Sequence, residues 1–553
     1  MAGNGLFDRN LHALSHRNRE LYSRLSKPEI SVSRYTFRES RSGEIIPSLL
    51  DSAGTAHPLH STIDPRKEAK RLIDSITAEG FIIFFGLGGA YYAEAALERD
   101  NIGMVLVVEY DVPGIAELLN NIDYTRLFED PRFCLVVDSG GEDLTRKILE
   151  LYQPVLFGGI RIIPLRARTD LTPEIFIAAG KAVEAAIDKV SSDYSVQVHF
   201  GKRWLSNVIR NLKSAGGIQS SIPPVRKAAV CAAGPSLSLQ IPVLREKRET
   251  VFLIATDTGL PCLLNAGIPP DAVISMDCQH ISYYHFMYGL PEETLLFLDL
   301  ASPPLLATRS EKIQFFTGSH PLTKYICRVW KPLPELDTSG GNVTYAALSL
   351  AEQLGASEIE LYGADFSYPS GISYARGTYI YSLFEKHQNR LSPLEAQASS
   401  FLYRTPLEKK RGNNSWYYEN QTLKFYRERL EEKSGVMEAA VVPIEGKGAP
   451  VNIQRTRTVA RAESKKSFSS GKAISDSEEF LLRYKNEIAG LPTPEKNAIL
   501  YIASLDNPSR SVFTTILPVA AALKKRLVIE DFRELLEVTK AFCIKEIDRV
   551  LAQ

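Results

Sequence analysis

The sequence predicts an α/β protein with two Rossmann-like parallel-sheet domains in tandem, followed by a helical C-terminal domain. Three observations carry this. Short, wholly apolar runs recur, such as Phe81-Ile82-Ile83-Phe84-Phe85, Val105-Leu106-Val107-Val108 and Ala228-Ala229-Val230-Cys231-Ala232. Such runs, closed by turn residues, suit strands buried on both faces, as in parallel sheets. They alternate with stretches of helical length, which points to crossover connections. Beyond residue 473 the strand-like runs stop and only helical spacing remains.

At 553 residues the chain is too long for one core. Its pattern divides into an N-terminal segment (1–65), a Rossmann-like domain (66–215), a central domain (225–455) and the helical region (473–553). In the first segment, Leu11–Leu25 has helical spacing. Tyr35–Leu50 alternates as a strand pair around Arg41-Ser42-Gly43, and Pro65–Thr77 is helical. In the first domain, the strand Phe81–Phe85 breaks at Gly86-Leu87-Gly88-Gly89 into the helix Ala90–Arg99. The strand Val105–Glu109, the helix Val112–Asn120 and the strands Cys134–Asp138 and Arg161–Pro164 follow. Leu171–Ser191 and Val196–Ala215 read as two helices leading to a linker, Gly216–Pro224. The central domain has six expected strands: Ala228–Ala232, Val251–Ala255, Ala272–Met276, Leu295–Leu298, Ile313–Phe316 and Ile359–Tyr362. The basic stretch Arg455–Lys472 reads as a solvated linker. Helices are expected at Ser475–Ala489, Thr493–Ser504, Ser511–Lys525 and Ile529–Leu551, suited to packing on the rest or to assembly of like chains.

Lys+Arg and Asp+Glu both number 65, so the formal net charge is zero and nucleic acid is not an expected partner. The six cysteines are scattered without a Cys-x-x-Cys pair, as in a reduced, cytoplasmic protein. Met1–Glu20 is too polar for a secretory signal, and no run has the length to span a bilayer, so no membrane association is expected. Histidine spacing suggests no metal site, and no resident cofactor is expected.

Two glycine turns attract attention. Gly86-Leu87-Gly88-Gly89, with Glu109 some twenty residues on, has the pattern of a dinucleotide or S-adenosylmethionine turn. Tyr91-Tyr92 would crowd a ligand there, so close helix–strand packing is the preferred reading. The second turn, Val230-Cys231-Ala232-Ala233-Gly234-Pro235-Ser236-Leu237, is sharper. A strand breaks into Gly-Pro-Ser and opens a helix, whose N-terminal amides suit a phosphate. Asp257 and Asp277 close the next two strands, and ligands of open parallel sheets bind beyond the carboxyl ends of strands. Ser339-Gly340-Gly341-Asn342 opens another helix. The loop Gly363-Ala364-Asp365-Phe366-Ser367-Tyr368 follows a strand, with Tyr374 close behind; both tyrosines could present hydroxyls to a departing phosphate.

Gly234-Pro235-Ser236-Leu237, the run Ala266–Asp271 before Ser275-Met276-Asp277, and Gly363-Ala364-Asp365 with Tyr374-Ala375-Arg376-Gly377 resemble the motility-associated factor family. Phe84–Gly89 with Val107–Asp111 resembles that family's N-terminal Rossmann-like domain. The likeness covers roughly residues 35 to 455. The central domain is also similar to hydroxymethylpterin pyrophosphokinase-like proteins and to a bacterial sialyltransferase family. The resemblance implies a glycosyltransferase that moves a nonulosonic acid (pseudaminic, legionaminic or related) from its CMP-activated donor to Ser/Thr of flagellin. Gly234, Pro235, Ser236, Asp257, Ser339, Gly340, Gly341 and Asn342 would then hold the donor, and Tyr368 and Tyr374 would assist the leaving phosphate. Asp277, Asp365 and His387 compete as the base. The sialyltransferases carry Asn where this chain has Asp257. Two other readings remain: a pyrophosphokinase using ATP and magnesium, and a non-catalytic flagellin-binding chaperone.

Overall fold

The structure is a computed structural model. It describes all residues except 1–4, 17, 27–32, 77–78, 218–220, 223, 413–414, 455–467, 470 and 495–497. Much of the expected linkers Gly216–Pro224 and Arg455–Lys472 lies outside the described residues. The chain forms two compact units: residues 1–201 with 490–542, and residues 202–489 with 543–553.

The first unit is built on a four-stranded parallel sheet. Its order is Phe133–Val137, Met104–Glu109, Glu79–Phe85, Gly159–Pro164. Strand side chains alternate between two cores. Ile82, Phe84, Val105 and Val107 enter one, and Phe81, Ile83, Phe85, Leu106 and Val108 the other. A sheet apolar on both faces needs helices on both faces, which is why these runs read as continuous rather than alternating. The expected helix Leu11–Leu25 is two, Gly5–Ser15 and Arg19–Leu25, because Asn18 caps the second by accepting from the Leu21 amide. Buried Asn10 ties the first helix down. Its Nδ2 donates to the carbonyls of Leu119 and Ile122, and its Oδ1 accepts from the Tyr124 amide. The expected strand pair forms, Tyr35–Glu39 with Ile45–Leu50, and gains a third strand, Ala56–Pro58.

The two helices expected between 171 and 215 are one, Pro173–Gly217. Ser191-Ser192-Asp193-Tyr194-Ser195 looks like a loop by polarity. It contains neither Pro nor Gly, and each of its residues costs only about 0.5 kcal/mol against Ala in a helix.

The second unit holds a seven-stranded, all-parallel sheet. Its order is Ile313–Phe316, Leu295–Asp299, Ala272–Ser275, Phe252–Thr256, Lys227–Cys231, Glu358–Tyr362, Ala440–Pro443. Six strands match the expected ones. The seventh escaped notice because Ala440-Val441-Val442-Pro443 is a four-residue edge strand with half-exposed residues. The chain moves outward from Lys227–Cys231 through four strands and then returns to its other side. The order therefore reverses between Lys227–Cys231 and Glu358–Tyr362, where open α/β sheets form a crevice. Helix Val343–Gln353 covers one face, with Ala346, Ala347, Leu350 and Ala351 in the core. After the sixth strand, a small antiparallel sheet (Tyr368–Pro369, Trp416–Glu419, Glu408–Arg411) and the helices Tyr379–His387 and Leu394–Leu402 stand over the carboxyl end.

The C-terminal region is helical as expected, with Ser477–Ala489, Ala498–Ser504, Asn507–Leu527 and Phe532–Leu551. Its residues are divided between the two units. Among the described residues, no helix is long and apolar enough to cross a membrane.

Candidate functional site

The reversal point of the second sheet lies where the Gly234-Pro235-Ser236 turn faces the loop Gly363-Ala364-Asp365. Here the expectation of free amides is corrected. The Ser236 amide donates to Asp365 Oδ2 at 2.8 Å, and Ser236 Oγ donates to Asp365 Oδ1 at 2.5 Å. The Gly234 amide is taken by the Gly363 carbonyl, and Pro235 has none to offer. A strap from Ile444 to Ala449 closes the tip. Lys447 donates its amide to Ser236 Oγ, and Ala449 donates to the Asp365 carbonyl and to Ser367 Oγ. Gly234 is required by closeness: a Cβ there would lie 2.3 Å from Asp365 Oδ2. Asp365 is thus a buried lock, 4 % exposed. Burial raises its pKa, opposed by the Ser236 bonds. It is no open base.

A second cluster of polar side chains lies farther out along the sheet, past the strands Phe252–Thr256 and Ala272–Ser275. Asp257, expected at the donor, is 2 % exposed, and its carboxylate is engaged within the protein. Its Oδ2 accepts from Ser275 Oγ at 2.7 Å, and its Oδ1 from the Thr258 amide and hydroxyl. Thr258 Oγ1 lies 3.4 Å from His285 Nε2. His285 Nδ1 is buried and has no hydrogen-bond partner among the described residues. Asp277, at the next strand end, is half-buried. Its Oδ1 accepts from the Gln279 amide at 2.8 Å. Burial raises its pKa first, and the charge of Asp257 adds to the rise. A carboxylate so raised is suited to accept a proton.

Aromatic side chains roof this cluster. Tyr379 opens the helix Tyr379–His387 and meets the His285 ring edge-on, 4.7 Å between centroids. Burial raises its hydroxyl pKa, as do Asp257 and Asp277, while Arg404 lowers it. The Tyr374 hydroxyl is pushed to about 12, by burial above all, then by Tyr379 and Tyr368. Phe401 packs against Tyr374 at 6.2 Å between ring centroids and carries the Arg404 guanidinium on its face at 3.9 Å.

Tyr368 sits apart from this pair in role. It is buried in the strand Tyr368–Pro369, and the Asn420 side chain bonds its hydroxyl. His387 is corrected as a base. It is exposed at the far end of its helix, with Nδ1 tied to the Leu383 carbonyl. Eight residues of helical rise put it about 12 Å along the axis from Tyr379.

The second tip remains open. Gly341 takes a positive φ of 72° and Asn342 caps the helix by accepting from the Tyr345 amide at 3.0 Å. Asn342 Nδ2 donates to the Gly340 carbonyl, and Ser339 gives its amide to Asp337. The amides of Val343 and Thr344 have no partner among the described residues. Asp337 is held well below the usual carboxylate range. Its burial is outweighed by bonds from Ser339, Lys433 and Tyr345.

Sequence reasoning missed Tyr379, Arg404 and the contacts of His285 with Thr258 and Tyr379. The one available signal was the run of tyrosines after Tyr374.

In the first unit the glycine turn is filled by the protein. Buried Glu109 accepts from Arg168 at 2.6 Å and from the amides of Leu87 and Tyr110. The Gly89 amide goes to His60 Nε2. A Cβ at Gly86 would lie 2.9 Å from the Arg168 side chain.

With this geometry in place, known proteins can be compared. The fold matches that of MAf glycosyltransferase from Magnetospirillum magneticum AMB-1. The two share 14 % identity with a TM-score of 0.58, over 99 % of this chain and 95 % of that one. Residues 202–371 match the family described as 6-hydroxymethylpterin diphosphokinase MptE-like. An uncharacterised protein of Treponema pallidum (strain Nichols) is 36 % identical over 153 residues, 27 % of this chain and 54 % of that protein. A second from the same organism is 28 % identical over 31 % of this chain and 82 % of its own length. The chain thus spans about half the length of the first of these relatives. The family resemblance read from the motifs therefore holds at the level of the whole fold and of the central segment.

Proposed function

We propose that this protein is a glycosyltransferase that moves a nonulosonic acid from CMP to Ser or Thr of flagellin, as the fold it shares with MAf glycosyltransferase suggests. The observation that carries the reading is the gathering of a raised carboxylate, Asp277, with the half-buried phenols Tyr374 and Tyr379 beyond the carboxyl end of the sheet. The reaction makes two demands. A base must take the acceptor hydroxyl proton, and donors must stabilise the charge that develops on CMP. Asp277 answers the first and Tyr374 the second. Among the expected phosphate-binding amides, those beside Asn342 stay available, whereas the Ser236 tip is occupied.

The test is calorimetric titration with CMP and ATP, together with a flagellin glycosylation assay. Asp277→Asn and Tyr374→Phe are each expected to lower turnover by about 10²–10⁴-fold. Full activity in both would remove the assignments, and a wild-type protein that fails to bind CMP would remove the reading. The match of residues 202–371 to the diphosphokinase family favours a second reading, phosphoryl transfer from ATP. Tight ATP binding with magnesium dependence and no CMP binding would establish that one instead.

A further inference from the structure

We infer that His12 and His16 form a two-imidazole chelate for a divalent transition metal of the zinc class. The pair belongs to the first unit, at the end of the helix Gly5–Ser15, and is independent of the glycosyltransferase reading. The expectation of no metal site, drawn from histidine spacing, is revised for this pair.

The two residues are four apart. His12 lies in the last turn of the helix and His16 is the residue just past its end. At that spacing side chains are neighbours on one face. Both are exposed, because the opposite face is committed to the core. Leu11, Ala13 and Leu14 are buried there, and Asn10 is tied to the Leu119 and Ile122 carbonyls. The pair therefore stands on a helix that is held in place, as a precise ligand set requires. The rings meet edge-on, 4.8 Å between centroids with their planes at 82°, and the two Nε2 atoms are 3.4 Å apart.

That distance separates two explanations of the pairing. An ordinary hydrogen bond from a nitrogen spans about 2.7–3.2 Å, so the imidazoles make at best a weak one. Two nitrogens bound at about 2.0–2.1 Å to one tetrahedral zinc stand about 3.3–3.4 Å from each other. The Nε2 atoms already have the separation that a shared ion imposes.

Imidazole suits zinc, nickel and copper, whereas magnesium and calcium take oxygen ligands. Asp8, one turn before His12 in the same row, adds negative charge on that side. Among the described residues no group of three or more His, Cys, Asp or Glu is placed to hold a metal. The chain thus gives two ligands and water completes the shell, which makes an open, exchangeable site rather than a closed structural one. The ion would clip the end of the helix to His16, two residues before Asn18, which caps the helix Arg19–Leu25.

The experiment is calorimetric titration of the full chain with zinc chloride in buffer free of chelators. Wild type is expected to show a site that weakens in His12→Gln and in His16→Gln alike. Each variant removes one of two direct ligands, so the loss should be no smaller than the about 10–100-fold that follows removal of a group merely supporting a ligand. His199→Gln, at an exposed histidine of the helix Pro173–Gly217, should leave the affinity unchanged. Because His12 and His16 are exposed, the melting temperature without metal should be the same in all four proteins, and zinc should raise it less in the two pair variants. Copper(II) gives a second readout. At one equivalent its electron paramagnetic resonance spectrum should show coupling to two imidazole nitrogens in wild type and to fewer in either pair variant. Wild-type zinc affinity in either single variant overturns the chelate. So does a wild type that binds no zinc, or whose first equivalent of copper couples to one nitrogen or none.

Discussion

The two glycine turns of this chain occupy equivalent places. Each follows the first strand of a parallel sheet, and each faces the loop after the strand that returns to its other side. In the first unit that loop sends Arg168 into the crevice to meet Glu109; in the second it sends Asp365 to meet Ser236. A glycine turn at a reversal point therefore reports that something approaches the backbone closely, and here the something is the protein itself. The units differ in what lies alongside. The first plug is a closed ion pair, with the Gly86, Leu87 and Gly89 amides satisfied. The second leaves, beyond the next two strands, a half-buried Asp277 and, among the described residues, an Arg404 without a carboxylate and two phenols, Tyr374 and Tyr379, without hydrogen-bond partners. The proposed chemistry is displaced from the motif by one or two strand widths, about 5–10 Å.

The largest effect that could break this comparison is on the first plug. Glu109→Gln would leave Arg168 buried without its anion, at a cost of about 3–5 kcal/mol. Differential scanning calorimetry should show the melting temperature lowered by on the order of 10 °C. Binding of a dinucleotide or S-adenosylmethionine by the wild type would show the crevice to be a ligand site after all. The second plug should matter less. Asp365→Ala removes the acceptor of two Ser236 bonds, and urea unfolding should show a loss of about 1–3 kcal/mol. The loss in turnover on Asp365→Asn should be far smaller than on Asp277→Asn. Equal losses would restore Asp365 as a base.

The sequence made most of the framework legible, because strands buried on both faces leave continuous apolar runs such as Phe81–Phe85 and Ala228–Cys231. It misled where a local rule was overridden. Ser191–Ser195 continues a helix despite its polarity, and Asn18 splits one that periodicity joined. For the site, strand-end residues such as Asp277 and the loop tyrosine Tyr374 could be marked, since the ends of parallel strands converge. Occupancy could not be read, because whether the Ser236 amide is free depends on Asp365, 129 positions away. Arg404 and Tyr379 carry no motif at all. Arg404 is placed by the Phe401 ring and Tyr379 by the His285 ring, packing that no local pattern announces.

The smallest expected effect separates the two units by acid. His60 beside the first turn and His320 in the second unit are both buried, and burial alone lowers their pKa, to about 3 and about 4. Each stays neutral in the fold while its unfolded counterpart binds a proton below about 6.5. The unfolded state therefore binds more protons as pH falls, and stability falls with it, from near 6.5 down to the folded values. Above 6.5 both forms are neutral and the contribution vanishes. At pH 5.5 each histidine should cost about 1.4 kcal/mol. His60→Gln keeps an acceptor for the Gly89 amide, and His320→Asn keeps one for Leu322 at the start of its helix. Each variant should flatten the pH dependence of the urea midpoint between 6.5 and 4. A variant whose slope matches wild type would mean that its histidine is protonated in the fold. That histidine would then need a buried anion beside it, and its unit would be less sealed than the packing around it implies.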